Sequence, residues 1–274
     1  MEGAYYNGQY LNRLERLGYS QAEIDNKLES TFEEMFYGPE GVRLCHCAGP
    51  DMMYIEDTGN HDVRTEGMSY AMMFCVQMNR QKEFDCLWRW VVTHMYLTEG
   101  ENAGYFAWSC HTDGSKNSDG PAPDGEEFFA MSLFFAANRW GSGEGVLDYA
   151  SWARRILHAC VHKGEEAGSG FPMWNPENHL IKFIPNCEFT DPSYHLPHFY
   201  ELFALWSDEC DRPFWHAAAA ASRQYLRKAC HARTGLSAEY AEYDGRPHRG
   251  DQPDRHDWFF SDAYRTLGNI ALDA

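Results

Sequence analysis

The chain has 274 residues, of which 41 are acidic and 23 basic, giving a formal charge of −18, with hydrophobic residues at 44% and aromatics at 15%. That charge repels a phosphate backbone and provides no basic stripe for counterion release, which excludes nucleic acid and anionic membrane as partners. The apolar share suffices for a sizeable core and argues against disorder. No run approaches about 18 consecutive apolar residues, and the opening MEGAYYNGQYLNRLERLGYS has no basic region followed by an apolar stretch, so a soluble, cytoplasmic protein is expected.

Apolar residues recur with a period near 3.6 almost throughout, which predicts an all-α chain. Ser20 and Glu23 form a capping-box pattern, after which Ile24, Leu28, Phe32, Met35 and Phe36 mark one face as far as Gly38. Met68, Met72, Cys75 and Val76 mark a second helix, and Phe84, Leu87, Trp88, Val91 and Met95 a third. The fourth spans residues 126–141. The fifth carries Leu147, Ala150, Ile156, Leu157, Cys160 and Val161, with Gly164 able to end it. Two more are expected at 197–208 and 212–231, and an eighth from Ser261 with Tyr264, Leu267, Ile270 and Ala271. The last ends in NIALDA without a cap, so the natural fold unit is expected to be longer than the chain.

Long loops rich in Gly, Pro, Asp, Asn and aromatic residues separate these helices, and no linker divides the chain into two domains. Nine cysteines among apolar neighbours, as at Cys75, Cys86, Cys160 and Cys230, read as buried free thiols. CHC at 45–47 is too tight for the usual zinc pair, and no metal or cofactor is expected.

Glu66, Asp124 and Asp262 each stand at or just before the start of an apolar helix. If those helices run side by side in one sense, their starts share one face, where the helix dipole favours anions by about 0.3 to 1 kcal/mol. For Asp124, with Glu127 three residues on, capping and a place in a cleft are equally open. Glutamate is a poor N-cap residue, and a carboxyl between Val63 and Met68 could hold its proton as a general acid must. Ser261 could cap the last helix and leave Asp262 free to face a cleft. Paired carboxylates without a P-loop, GxGxxG, HExxH or GxSxG motif suit hydrolysis of a glycosidic bond. Trp108, Trp174, Tyr194, Phe199, Trp258 and Tyr264 border the loops, where a flat ring can stack on a sugar. Phe199 and Tyr264 can equally be helix core, and core is favoured for Phe199.

DVRTEGMSYAMM, PAPDGEEFFAMSLFFAANRWG and FFSDAYR, in that order, resemble glycoside hydrolase family 8 over essentially the whole chain. The resemblance implies an (α/α)6 barrel, here a single catalytic domain over residues 1–274 with about a third of the barrel missing at its C-terminal end. It implies an inverting enzyme that releases xylose from the reducing end of short β-1,4-xylo-oligosaccharides. Glu66 would be the general acid, Asp262 the general base, and Asp124 a ligand of the central sugar. Tyr194 would hydrogen-bond the base or its water, Trp108 would form a stacking platform, and Arg64 and Arg265 would hold the carboxylates. Tyr70, His195, Trp258 and Tyr264 complete the expected binding and supporting set. The carboxylates of Glu66 and Asp262 are expected about 6.5 to 9.5 Å apart. The alternatives are an endo-acting xylanase or β-glucanase of the same family, or a non-catalytic carbohydrate-binding barrel fragment. A further expected partner is the remaining C-terminal piece of the same protein.

Overall fold

A computed structural model describes residues 11–165, 170–250 and 255–274. The chain divides into two compact units, residues 1–46 and 47–274.

In the first unit a single turn, Arg13–Arg16, precedes helix α1, Gln21–Tyr37. The capping box forms as expected: Glu23 N–H donates to Ser20 Oγ, and Ser20 N–H donates to Glu23 Oε2 at 2.8 Å. Phe32 and Phe36, one turn apart on the apolar face, stack with centroids 4.1 Å apart.

The second unit holds α2 (Thr65–Gln77), α3 (Gln81–Trp90, running on into a π turn at Val91–Met95), α4 (Pro123–Trp140) and α5 (Tyr149–His162). After them come α6 (Pro197–Trp206), α7 (Arg212–Ala229) and α8 (Arg265–Asp273). Each of the eight expected helices is present. The period did not show the short extended pieces: Met53–Ile55, and β1 (Val63–Arg64) paired antiparallel with β2 (Ser109–Cys110). Two or three residues are too few to display an alternation.

Helix contacts follow a rule. α2 packs on α4, α4 on α6 and α6 on α8, while α3, α5 and α7 pack on α2, α4 and α6 respectively. Every second helix is thus inner and its successor outer, the order of an (α/α) barrel, and the sequences match. Residues 129–134 of α4 are all buried, as expected of a helix covered on every side, whereas α3, α5 and α7 bury one face only. Large rings fill the space between the layers. Trp88 meets Phe106, Phe129 and Trp152, and Trp215 meets Trp174, Tyr200 and Phe203, in edge-on or tilted pairs with centroids 5.0 to 5.9 Å apart.

Because an outer helix reverses the chain between them, successive inner helices start at the same end. The starts of α2 and α4 touch: a Cβ on Gly125 would lie 2.5 Å from Thr65 Cβ. Only glycine allows this approach, and it sets the two second helical residues, Glu66 and Asp124, side by side. Alanine normally gains helix stability over glycine, by about 1 kcal/mol, but here the clash decides the sign. Gly125→Ala is expected to cost about 1 to 3 kcal/mol, read as a lowered Tm, and Thr65→Gly in the same chain to restore part of it.

Candidate active site

HDVRTEG folds as a strand leading directly into a helix. Thr65 N–H donates to Trp108 O at 3.0 Å, so β1 and α2 are fastened to the segment that presents Trp108. Arg64 pairs with Asp62 at 3.0 Å, lies 3.9 Å from Asp57, and covers the Trp108 ring with its Cζ 5.1 Å from the centroid. Asp62, buried, also accepts from Ser109 Oγ at 3.0 Å. The charges at the mouth of α2 thus brace two short strands and orient a tryptophan.

One turn onward the carboxylates converge. Arg265, at the start of α8, donates from Nη1 to Asp124 Oδ2 at 2.9 Å and to Tyr70 OH at 3.1 Å. Its Nη2 lies 2.9 Å from Asp262 Oδ2, and its Cζ sits 5.6 Å from the centre of the Tyr194 ring. Burial opposes the Arg265 charge, but Asp124 and its neighbours outweigh that and hold it firmly protonated. One guanidinium cannot neutralise all the acids around it. Burial, reinforced by the charge of Asp124, pushes Glu66 up to about 7. Burial also raises Asp124 to about 6, against the pull of Arg265, and Asp191 to about 7. Glu66 Oε2 is buried without a hydrogen-bond partner among the described residues, as suits a carboxyl waiting to donate a proton. The Asp262 side chain is 42% exposed, so water reaches it.

Neither Glu66 nor Asp124 caps its helix, since α2 and α4 have no side-chain cap. The capping reading of Asp124 fails because Pro123 begins α4 and places Asp124 inside the first turn. Glu127, the other half of that pattern, is buried and accepts from Tyr200 OH. Ser261 does not cap the last helix either. Phe260 precedes a 3-10 turn at Ser261–Tyr264, in which Ser261 takes a positive φ of 38°.

Among the expected supporting residues, His195 has no exposed surface. Its ring nitrogens meet Thr190 Oγ1 at 3.0 Å and Ser222 Oγ at 2.9 Å, and burial lowers its pKa to about 3. It therefore cannot touch a substrate and acts as a neutral brace. Tyr194 is buried beneath Arg265, and Phe199 is core. Trp174 is also buried, so it is no stacking platform. Tyr264 is 65% exposed rather than core, and Trp258 is 58% exposed with the Arg255 guanidinium over its ring. Tyr264, Tyr70, Asp124 and Arg265 line a cavity of about 300 Å³, and Trp108 lines another of about 250 Å³ with Phe171. The sequence reading passed over Asp191. It directly precedes Pro192 and caps the 3-10 turn before α6, where its Oδ1 accepts from Ser193 N–H at 2.6 Å.

A raised carboxyl pKa makes two predictions. Free Glu66 titrates near 4.5 and the folded group near 7, so the native state loses stability as pH rises between those values. Glu66→Gln is therefore expected to raise Tm relative to the parent above pH 7, with the difference vanishing below about 4.5, as calorimetry across pH would record. If Glu66 must be protonated for turnover, kcat/KM falls as pH rises through about 7. Asp124→Asn removes a neighbouring negative charge, so the alkaline limb of the residual activity should move to lower pH.

Comparison with known proteins agrees with this fold. The family model for glycosyl hydrolases family 8 matches residues 19–272, across both compact units. A reducing end xylose-releasing exo-oligoxylanase of Halalkalibacterium halodurans is 56% identical over all of this chain and 70% of its own length. The enzyme Rex8A of Paenibacillus barcinonensis is 58% identical over 99% of this chain and 71% of its own. The solved structure of Rex8A with xylose superposes with a TM-score of 0.96, at 57% identity over 99% of this chain and 72% of that one. Endoglucanase C of Ruminiclostridium cellulolyticum is more distant, at 28% identity over 99% of this chain and 54% of its own. The chain belongs to family 8 of the glycosyl hydrolases.

Proposed function

We propose that this glycoside hydrolase releases xylose from the reducing end of short β-1,4-xylo-oligosaccharides with inversion at the anomeric carbon. The observation that carries the reading is the convergence of Glu66, Asp124 and Asp262 on Arg265, with burial raising Glu66 to about 7. The names of the relatives matched at 56 to 58% identity support the substrate and the direction of attack.

In this reading Glu66 gives its proton to the glycosidic oxygen as the bond to the anomeric carbon breaks. Asp262, the carboxylate open to solvent, takes a proton from the water that adds to the opposite face. Inversion leaves room for that water, with the two carboxylates about 6.5 to 9.5 Å apart in the working enzyme. Asp124 binds hydroxyls of the central sugar while Arg265 fixes its carboxylate. Tyr194 aligns the water, and Trp108, steadied by Arg64, offers a face for a pyranose ring. Action on short oligosaccharides inside the cell belongs to the same reading. So does completion of a six-fold (α/α) barrel by further helices of the same protein. Leu267 and Leu272 on α8 are 45% and 71% exposed, and the matched relatives are longer than this chain.

Xylotriose is the deciding substrate. Xylose and xylobiose should appear together, and early NMR spectra should show the new reducing end as the α-anomer. Cleavage only of longer polymers at internal bonds would favour an endo-acting enzyme instead. Glu66→Gln and Asp262→Asn should each lower kcat by about 10² to 10⁴-fold while the protein stays folded. Near-parental rates in either variant would remove that residue from its role.

A further inference from the structure

On the outer helices, away from the carboxylates of the inner ring, two histidines and an aspartate converge. His158 and His162 are four residues apart on α5 and so share one face, with ring centroids 4.4 Å apart. Asp211 immediately precedes α7. It occupies the N-cap position, yet its side chain makes no cap hydrogen bond. The carboxylate, 1% exposed, turns instead to the imidazoles, with Oδ1 2.7 Å from His162 Nε2 and Oδ2 3.2 Å from His158 Nδ1. One donor atom from each residue falls within 4.8 Å of the other two.

We propose that His158, His162 and Asp211 form a divalent transition-metal site, suited to Zn²⁺, that clamps α5 to the start of α7. Ligands about 2.0 to 2.2 Å from a tetrahedral zinc are roughly 3.3 Å from one another; the 2.7 and 3.2 Å separations to the two oxygens of Asp211 are near that value, and side-chain rotation draws the three donors together from within 4.8 Å. The outer support a metal-bound histidine requires is already built. His162 directs Nε2 to the centre and Nδ1 to Glu165 Oε2 at 2.8 Å, an arrangement that fixes the tautomer and raises the basicity of the ligand. Two imidazoles and a carboxylate favour zinc, cobalt or nickel over magnesium or calcium, which take oxygen ligands. The fourth position falls to water or to Cys210, whose Sγ lies 3.3 Å from Asp211 Oδ1. Binding displaces the proton shared between His162 and Asp211 and releases it to solvent. Because the ligands join two outer helices, the metal acts on stability and not on the chemical step.

The test is titration of the EDTA-treated chain with ZnCl₂ and CoCl₂, followed by calorimetry, thermal unfolding and the visible spectrum of bound Co²⁺. One equivalent should bind with micromolar affinity. A hundredfold excess over Kd should raise Tm by about 5 to 10 °C, and MgCl₂ should do neither. His158→Ala, at a side chain 55% exposed, should leave the metal-free Tm unchanged and abolish the zinc-dependent rise. Glu165→Gln should weaken binding by about 10 to 100-fold. No zinc binding, an unaltered Kd in His158→Ala, or an equal response to magnesium would overturn the proposal. So would a Co²⁺ spectrum lost on replacing Cys47 instead of His158.

Discussion

Everything at the carboxylate end of the inner ring depends on one buried cation. Arg265 reaches from the start of α8 to Asp124 on α4 and Tyr70 on α2, touches Asp262 on its own turn and lies over Tyr194 before α6. A buried charge is tolerated only when paired, and removing either partner leaves the other uncompensated, typically at a cost of about 3 to 5 kcal/mol. The same residue thus ties the four inner helices together and sets the electrostatics of the site. With one guanidinium facing several acids, some acids must keep their protons near neutral pH. Burial, with the neighbouring acids, raises Glu66 and Asp191 to about 7.

The surroundings of that cation oppose stability in ways that chemistry can use. Glu126 and Glu127 are fully buried, each with one oxygen bonded, to Phe106 N–H and Tyr200 OH, and burial raises both well above the ordinary carboxylate range. A helix start crowded with acids is unfavourable unless its exposed N–H groups and a nearby cation answer the charge. The aromatic layers between inner and outer helices, and the Gly125–Thr65 approach, hold these groups where solvent alone would separate them. In return, Glu66 keeps its proton to a higher pH than a surface glutamate would.

The outer helices have a different task. Their apolar faces cover the inner helices, and their polar faces are free to carry other groups, such as the imidazoles of α5 beside Asp211. That cluster escaped a reading along the chain because its members, on α5 and just before α7, are separated in sequence by a long loop and the whole of α6. Only the packing of α5 on α4, α4 on α6 and α7 on α6 brings them within reach of one another.

The helices themselves were legible because their cause is local. A 3.6-residue period reports which face is covered, Ser20 and Glu23 announce the start of α1, and Gly164 follows the end of α5 with the positive φ that glycine takes readily. The shared position of Glu66, Asp124 and Asp262 could be seen from spacing, and the family resemblance supplied their roles. Properties that depend on distance through space were not written in the spacing. The DGEE segment reads as a capping pattern, yet Pro123 and the Tyr200 hydroxyl draw Asp124 and Glu127 inward. His195 reads as a loop histidine beside the site, yet Ser222 and Thr190 seal it in the core. A protonation state, a buried brace or a cluster of donors depends on which helices become neighbours, and no single segment contains that information until those helices have packed together.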